Sequence, residues 1–158
     1  MAVAGLSTLG VTFGYGVEST AGTKPTTFTR LTRINQIGGI PLDVEQIDAS
    51  ALEDEITRYI SGRADTGGTF TVTINLTDET EEEWETVFEQ AGALTGGKRL
   101  WFETIIPGLT KAFFVVAQLP PKFPQPEQGQ NGLSTAEINL IVEEYKGLDT
   151  KVAFTTGE

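Results

Sequence analysis

Residues 69–77 alternate without a break. Phe70, Val72, Ile74 and Leu76 fall on one side of an extended chain, and Thr69, Thr71, Thr73, Asn75 and Thr77 fall on the other. Successive side chains of a strand point to opposite faces, so a period of two predicts a β-strand with one face in a core. The opposite face is polar yet uncharged. A second alternating stretch runs from Leu133 to Tyr145. Ala136, Ile138, Leu140 and Val142 share one face; Thr135, Glu137, Asn139, Ile141 and Glu143 share the other. With 18 glycines and 7 prolines to make turns, the chain reads as turn-rich and mainly β.

One helix interrupts this pattern, from Asp78 to about Gly92. Asp78 and Glu81 have capping-box spacing, and Glu79, Glu81 and Glu82 favour the positive end of the helix dipole. Trp84, Val87, Phe88 and Ala91 form its apolar stripe at i, i+3, i+4 and i+7. Lys98–Ile106 and Lys111–Leu119 read as two apolar strands around Pro107-Gly108, a hairpin. Thr27–Ile34 reads as one strand, and Val152–Phe154 as a short last one. The proline-rich stretch Pro120–Pro126 is extended and unfit for a central strand. Residues 1–26 read as an irregular arm, with glycine at 5, 10, 14 and 16. Residues 42–66 read as a long loop with few regular elements, in which Val44 and Ile47 anchor a short strand, Ser50 and Glu53 suggest a helical turn, and Thr57–Ile60 is β-like. Loops of this length are usually functional or disordered. The sum is a single domain over 1–158, an antiparallel β-sandwich or barrel with one flanking amphipathic helix.

Composition closes off several chemistries. The 158 residues include no cysteine and no histidine, which excludes disulfides, Cys/His zinc sites and Ser-His or Cys-His nucleophile systems. With 22 acidic and 11 basic side chains the net charge is -11, which opposes binding to a phosphate backbone. The longest clean apolar run, Ala112–Ala117, is far short of the roughly 20 residues of a membrane span. The uncharged start lacks the basic n-region of a signal peptide and is broken by glycines.

The remaining motifs have ordinary readings. Seven carboxylates lie between Asp78 and Glu89; a cation site or an acid/base pair is one reading, and a capped helix with a solvated face accounts for them without either. Asp43, Glu45 and Asp48 lack calcium-loop spacing. Gly14-Tyr15-Gly16 lacks the third glycine of a nucleotide fingerprint. The sequence therefore assigns no catalytic, cofactor-binding or metal-binding residue. Arg58 and Arg63 stand beside Glu53, Asp54, Glu55 and Asp65. That is either common charge mixing or a mixed-sign surface for a repeated contact, with Tyr59 as an aromatic anchor.

The segment Ile47-Asp48-Ala49-Ser50-Ala51-Leu52-Glu53-Asp54, then Arg58-Tyr59-Ile60-Ser61-Gly62-Arg63-Ala64-Asp65-Thr66-Gly67-Gly68 and the Thr-rich strand, resembles phage tail tube (major tail) proteins. The likeness is to those of siphophages and prophages of Gram-positive hosts. Met1–Ser7 and Thr95–Gly108 resemble that family too, so the likeness spans nearly the whole chain. It implies a β-sandwich with one helix, six copies in a ring, inner sheets joined into a continuous barrel, and rings stacked into a virion tail tube assembled in the host cytoplasm. The implied partners are other copies of the chain, the tape measure protein in the lumen, and tail terminator and distal tail proteins. DNA passes through without specific binding, and no membrane is involved.

On that resemblance, Asp48, Leu52, Glu53, Asp54, Arg58, Tyr59, Ile60, Arg63 and Asp65 are candidates for the contact between rings. Thr69, Thr71, Thr73, Asn75, Glu137 and Asn139 are candidates for the lumen wall; the same face also suits plain solvent. A heterologous, non-closing axial contact would generate a filament. The alternatives are an inner-tube protein of a contractile tail or secretion-like device, and a carbohydrate- or surface-binding β-sandwich with Trp84 and Trp101 as stacking platforms.

Overall fold

The computed structural model describes residues 5–155. In chain order the elements are β1 (Thr12–Val17), β2 (Phe28–Leu31), β3 (Ile34–Ile37), β4 (Asp43–Asp48), β5 (Tyr59–Asp65), β6 (Thr69–Asn75), α1 (Asp78–Gly92), β7 (Leu100–Ile105), β8 (Lys111–Gln118), β9 (Thr135–Thr150) and β10 (Phe154–Thr155). Eight strands form one sheet in the order β10-β2-β1-β7-β8-β9-β6-β3, and β4 and β5 form a separate two-stranded sheet. All neighbours are antiparallel except β10 and β2, which are parallel. The architecture is mainly β with one helix, as the alternation predicts.

The sheet must curl. β2 and β3 are joined by Thr32 and Arg33 alone, yet they lie near opposite edges. Arg33 turns the chain with a φ of 54°, a left-handed conformation uncommon for a side-chain-bearing residue. The single strand read over Thr27–Ile34 is thus broken in two. Glu83 of α1 holds the break: its carboxylate accepts the Thr32 N–H at 2.9 Å and the Thr32 hydroxyl at 2.7 Å.

Inside the curl lies the main core, where Phe13, Phe70, Val72, Phe102, Ile138 and Leu140 meet Trp84 and Val87 of the helix. Trp84 and Val87 are wholly buried, while Phe88 and Ala91 pack at the core's margin. The helix cap sits one residue earlier than its carboxylates suggest. Thr77 is the N-cap, and the Thr77 and Thr80 hydroxyls accept each other's backbone N–H at 3.2 and 2.8 Å. The Thr80 hydroxyl also donates to the Asn75 carbonyl at 2.9 Å, so the end of β6 fixes where the helix begins. The far face of β7 and β8 carries a second cluster of Phe28, Trp101, Ala112, Phe114 and Val116, covered by Val152 and Phe154.

Two segments differ from the sequence reading. The arm placed at 1–26 contains β1, a strand hydrogen-bonded on both sides between β2 and β7. Its Phe13 and Tyr15 are buried in the core. The glycines that suggested irregularity are there because their neighbours press on the backbone. A Cβ on Gly14 would stand 2.5 Å from the Thr29 carbonyl oxygen and collide with the Phe154 ring. Residues 1–4, which belong to that arm and to the quoted Met1–Ser7 likeness, lie outside the described residues. The long loop at 42–66 is instead a hairpin, β4 against β5, with Ile47 opposite Ile60, Asp48 opposite Tyr59, and a bulge between Val44 and Gln46.

Replacing Gly14 by valine should therefore destabilise the protein by about 1–3 kcal/mol or more through overpacking. A urea unfolding curve checks this; an unchanged midpoint would contradict the placement of β1.

Candidate functional site

Two surfaces stand out, a polar wall and a projecting hairpin. The two polar faces read separately from sequence are one surface, because β6 pairs with β9. Thr69 lies opposite Ile141, Thr71 opposite Asn139, Thr73 opposite Glu137 and Asn75 opposite Thr135. Thr71 donates its hydroxyl proton to Asn139 Oδ1 at 2.6 Å. The sequence missed the continuation of this wall onto β3. Asn35 donates its amide to Asn75 Oδ1 at 2.8 Å, and Gln36 lies opposite Thr73. A bulge between Ile34 and Gln36 breaks the alternation there, which hid the signal. On the other side Gln118 of β8 lies opposite Ile141 and donates to Glu143 at 3.3 Å. The wall is a network of neutral hydrogen-bonding groups, with Glu137 its charged member on the β6–β9 pair and the exposed Ile141 its apolar one.

The hairpin has no core beneath it. β4 is exposed along its whole length, and so is β5 except at Gly62. Twelve large apolar side chains are exposed among the described residues, and seven of them lie between Leu42 and Ile60. Leu52 and Ile56 at its tip are fully and mostly exposed, at 109 % and 80 %. The sequence singled out Leu52, Tyr59 and Ile60 as contacts but not Leu42 or Ile56, which belong to no periodic run.

The polar candidates divide in two. Asp48, Asp54, Arg58 and Asp65 shape the hairpin itself. Asp48 Oδ1 accepts the Ser50 N–H at 2.9 Å, and the Ser50 hydroxyl accepts the Arg58 N–H at 2.7 Å. Asp54 accepts the Ala51 N–H at 2.8 Å and stands 3.5 Å from the Arg58 guanidinium. Asp65 accepts the Gly67 N–H at 2.9 Å. Donation from the Ser50 backbone and hydroxyl holds the Asp48 carboxyl below its ordinary value. The suggested helical turn at Ser50–Glu53 is thus an ordered tip, in which Ser50 bridges to Arg58 rather than capping a helix. Glu53 and Arg63 take part in no ion pair among the described residues.

Two carboxylates that the sequence did not flag are fully buried. Glu18, 1 % exposed, receives the Trp101 indole N–H at 2.8 Å, the Arg99 N–H at 2.7 Å and the Gly22 N–H at 3.2 Å. Burial pushes its pKa up, but these donors and the Arg99 charge outweigh burial and leave it lowered. Glu103 receives the Val152 N–H at 2.9 Å through one oxygen, while the other has no partner. Burial raises its pKa against the pull of Val152, Lys24 and Lys151. Both tie loose ends of chain to the sheet, Glu18 the loop after β1 and Glu103 the approach to β10.

Neither tryptophan offers a stacking platform, since Trp84 and Trp101 are 0 % and 4 % exposed. The carbohydrate-binding alternative loses its contact residues. Among the described residues no three acidic side chains cluster as a metal site, and no helix is long and apolar enough to cross a membrane.

No protein-family model matches the chain, and no curated protein does. Its fold does have solved counterparts. A chain in the tail of an empty GTA particle, determined with helical refinement and C6 symmetry, superposes with a TM-score of 0.52 at 14 % identity, over 89 % of this chain and 95 % of that one. A chain in the six-fold symmetrised baseplate of the anti-feeding prophage (AFP) superposes with a TM-score of 0.53 at 10 % identity, over 92 % and 96 %. This protein shares the fold of components of a tail and of a baseplate, both with six-fold symmetry.

The raised pKa of Glu103 has a definite sign. The folded protein keeps a proton that the unfolded chain releases near 4.5, so the stability this group contributes falls as pH rises from there through the folded value. Glu103→Gln keeps the acceptor for Val152 and removes the titration. Relative to wild type, the variant should gain stability between pH 4.5 and neutrality. Denaturant melts at both pH values check this; a constant difference would contradict it.

Proposed function

We propose that this protein is a non-enzymatic structural subunit of a phage-type tail tube, which assembles into hexameric rings stacked as a conduit for DNA. The observation that carries the reading is the fold shared, over 89 % and 92 % of this chain, with chains of two six-fold tail-type particles. Two surface features support it. The first is the projecting hairpin. An arm of 23 residues, from Asp43 to Asp65, that exposes apolar side chains on a fixed backbone suits a contact with another subunit. A copy that accepts the hairpin also offers its own, so the contact propagates along an axis.

The second feature is the polar wall of β3, β6, β9 and the end of β8. The wall fits a lumen along which DNA slides, because neutral amides and hydroxyls with a scatter of carboxylates offer phosphates no cationic charge to pair with. The sheet's two short edges, β10 and β3, would be covered by neighbours in the ring, which removes unpaired strand edges. The tape measure protein would occupy the lumen during assembly, and tail terminator and distal tail proteins would close the two ends. The virion is then where the protein resides. Likeness to a chain of the AFP baseplate favours a second reading, the inner tube or baseplate of a contractile or secretion-like device built from the same rings.

Concentrated protein should form rings or tubes about 10 nm across in negative-stain images, a size scaled from sheet and domain dimensions. Replacing residues 48–64 by a short Gly-Ser linker should leave the circular-dichroism spectrum of the sheet intact and abolish stacking. Persistent monomers, even with neighbouring tail components present, would contradict the proposal. Glu137→Lys should slow DNA ejection from assembled particles while tubes still form; unchanged ejection would remove Glu137 from the lumen.

A further inference from the structure

The hairpin tip carries apolar side chains and acids that its own chain leaves without partners. Leu52 and Ile56 are exposed, and Glu53 and Glu55 beside them make no ion pair among the described residues. The chain also carries a surface that complements such a tip. A groove of about 320 Å³ lies between the last turn of α1, the start of β7 and the end of β8. Phe88, Leu94 and Leu119 form its apolar wall, and Lys98 stands at it. Lys98 is exposed and has no acidic partner among the described residues. The other charges at the groove are engaged already, Arg99 with Glu18, Glu143 and Glu144.

The tip does not occupy the groove of its own chain, since Leu52 is fully exposed. The groove of a copy displaced along the axis can receive it, which is the geometry of an open, repeating contact. The larger cavity, about 560 Å³, fits the tip less well. It is lined by Gly38, Gly39 and Ile40 on the approach to the hairpin, and none of its lining side chains is a lysine or arginine to meet Glu53 and Glu55.

We propose that the hairpin tip of one copy docks in the α1–β7–β8 groove of a second copy, seating Leu52 against Phe88, Leu94 and Leu119 with Glu53 and Glu55 facing Lys98. The inference rests on the tube reading and names the receptor for its axial contact. Burial of Leu52 removes apolar surface from water, and the opposite charges set which copy and which register are accepted.

The full chain has no cysteine, so paired cysteines report proximity without background. A Leu52→Cys, Leu94→Cys double variant, assembled and then oxidised, should run as a ladder of covalent oligomers on a non-reducing gel. Each single variant should stop at dimers or fewer. Lys98→Glu should raise the concentration needed for tube growth by about tenfold or more, and adding Glu53→Lys and Glu55→Lys to it should restore growth. Tubes that form normally without the Leu52–Leu94 cross-link, and with Lys98→Glu silent, would overturn the groove and leave the tube reading intact. A ladder from Leu52→Cys with Ile37→Cys in the larger cavity, in place of the Leu94 pair, would overturn it in the same way. A wild-type chain that never forms tubes would overturn both.

Discussion

The structure hangs on the pairing of β9 with two different strands. β9 is 16 residues long, and its first half pairs with β6 from Thr135 to Ile141 while the rest pairs with β8 from Ile141 to Thr150. Register shifts at Phe114/Val115 and Val116/Ala117 bend this second half, and bulges increase local twist. One strand thus bridges two parts of the sheet and sets its curl. The curl brings β2 and β3 near enough to be joined by two residues. It encloses the core that the helix fills with Trp84 and Val87, and it places the β6–β9 polar side chains on the outer wall.

The same constraint explains why the surface divides as it does. The curled sheet buries its own apolar face and, through β10 and Val152, much of its other face over β7 and β8. Exposed large apolar groups then concentrate on the one element outside the curl, the β4–β5 hairpin. A hairpin alone in water is marginally stable. This one is held in shape by backbone hydrogen bonds to Asp48, Ser50 and Asp54 rather than by a core. An element that is shaped but uncovered is ready to meet a partner at little ordering cost.

Much of the fold was legible in the sequence because its signals are periodic. The alternation of 69–77 and 133–145 located β6 and β9, and the helical stripe found Trp84 and Val87. β1 was not legible, because Gly14 and Gly16 read as irregularity; they mark close approach of Thr29, Phe28 and Phe154, all remote in sequence. The break at Thr32–Arg33 was hidden for a similar reason, since its cause is Glu83, 51 residues away. Of the two surfaces, the β6 and β9 residues of the polar wall were legible, but their union and the share of β3 and β8 were not, because strand order is a tertiary property. The hairpin residues were singled out through resemblance, while its β character was masked by the bulge at Val44/Gln46 and the glycine at 62.

In the proposed tube, the β6–β9 wall faces a channel shared by several copies and the hairpin crosses to the next layer. A helical cryo-EM reconstruction of assembled protein tests both at once. The expected result is a six-fold tube with Thr71, Glu137 and Asn139 on the lumen surface and each hairpin in contact with an adjacent ring. A reconstruction with those three side chains on the outer surface, or with each hairpin folded against its own subunit, would contradict it.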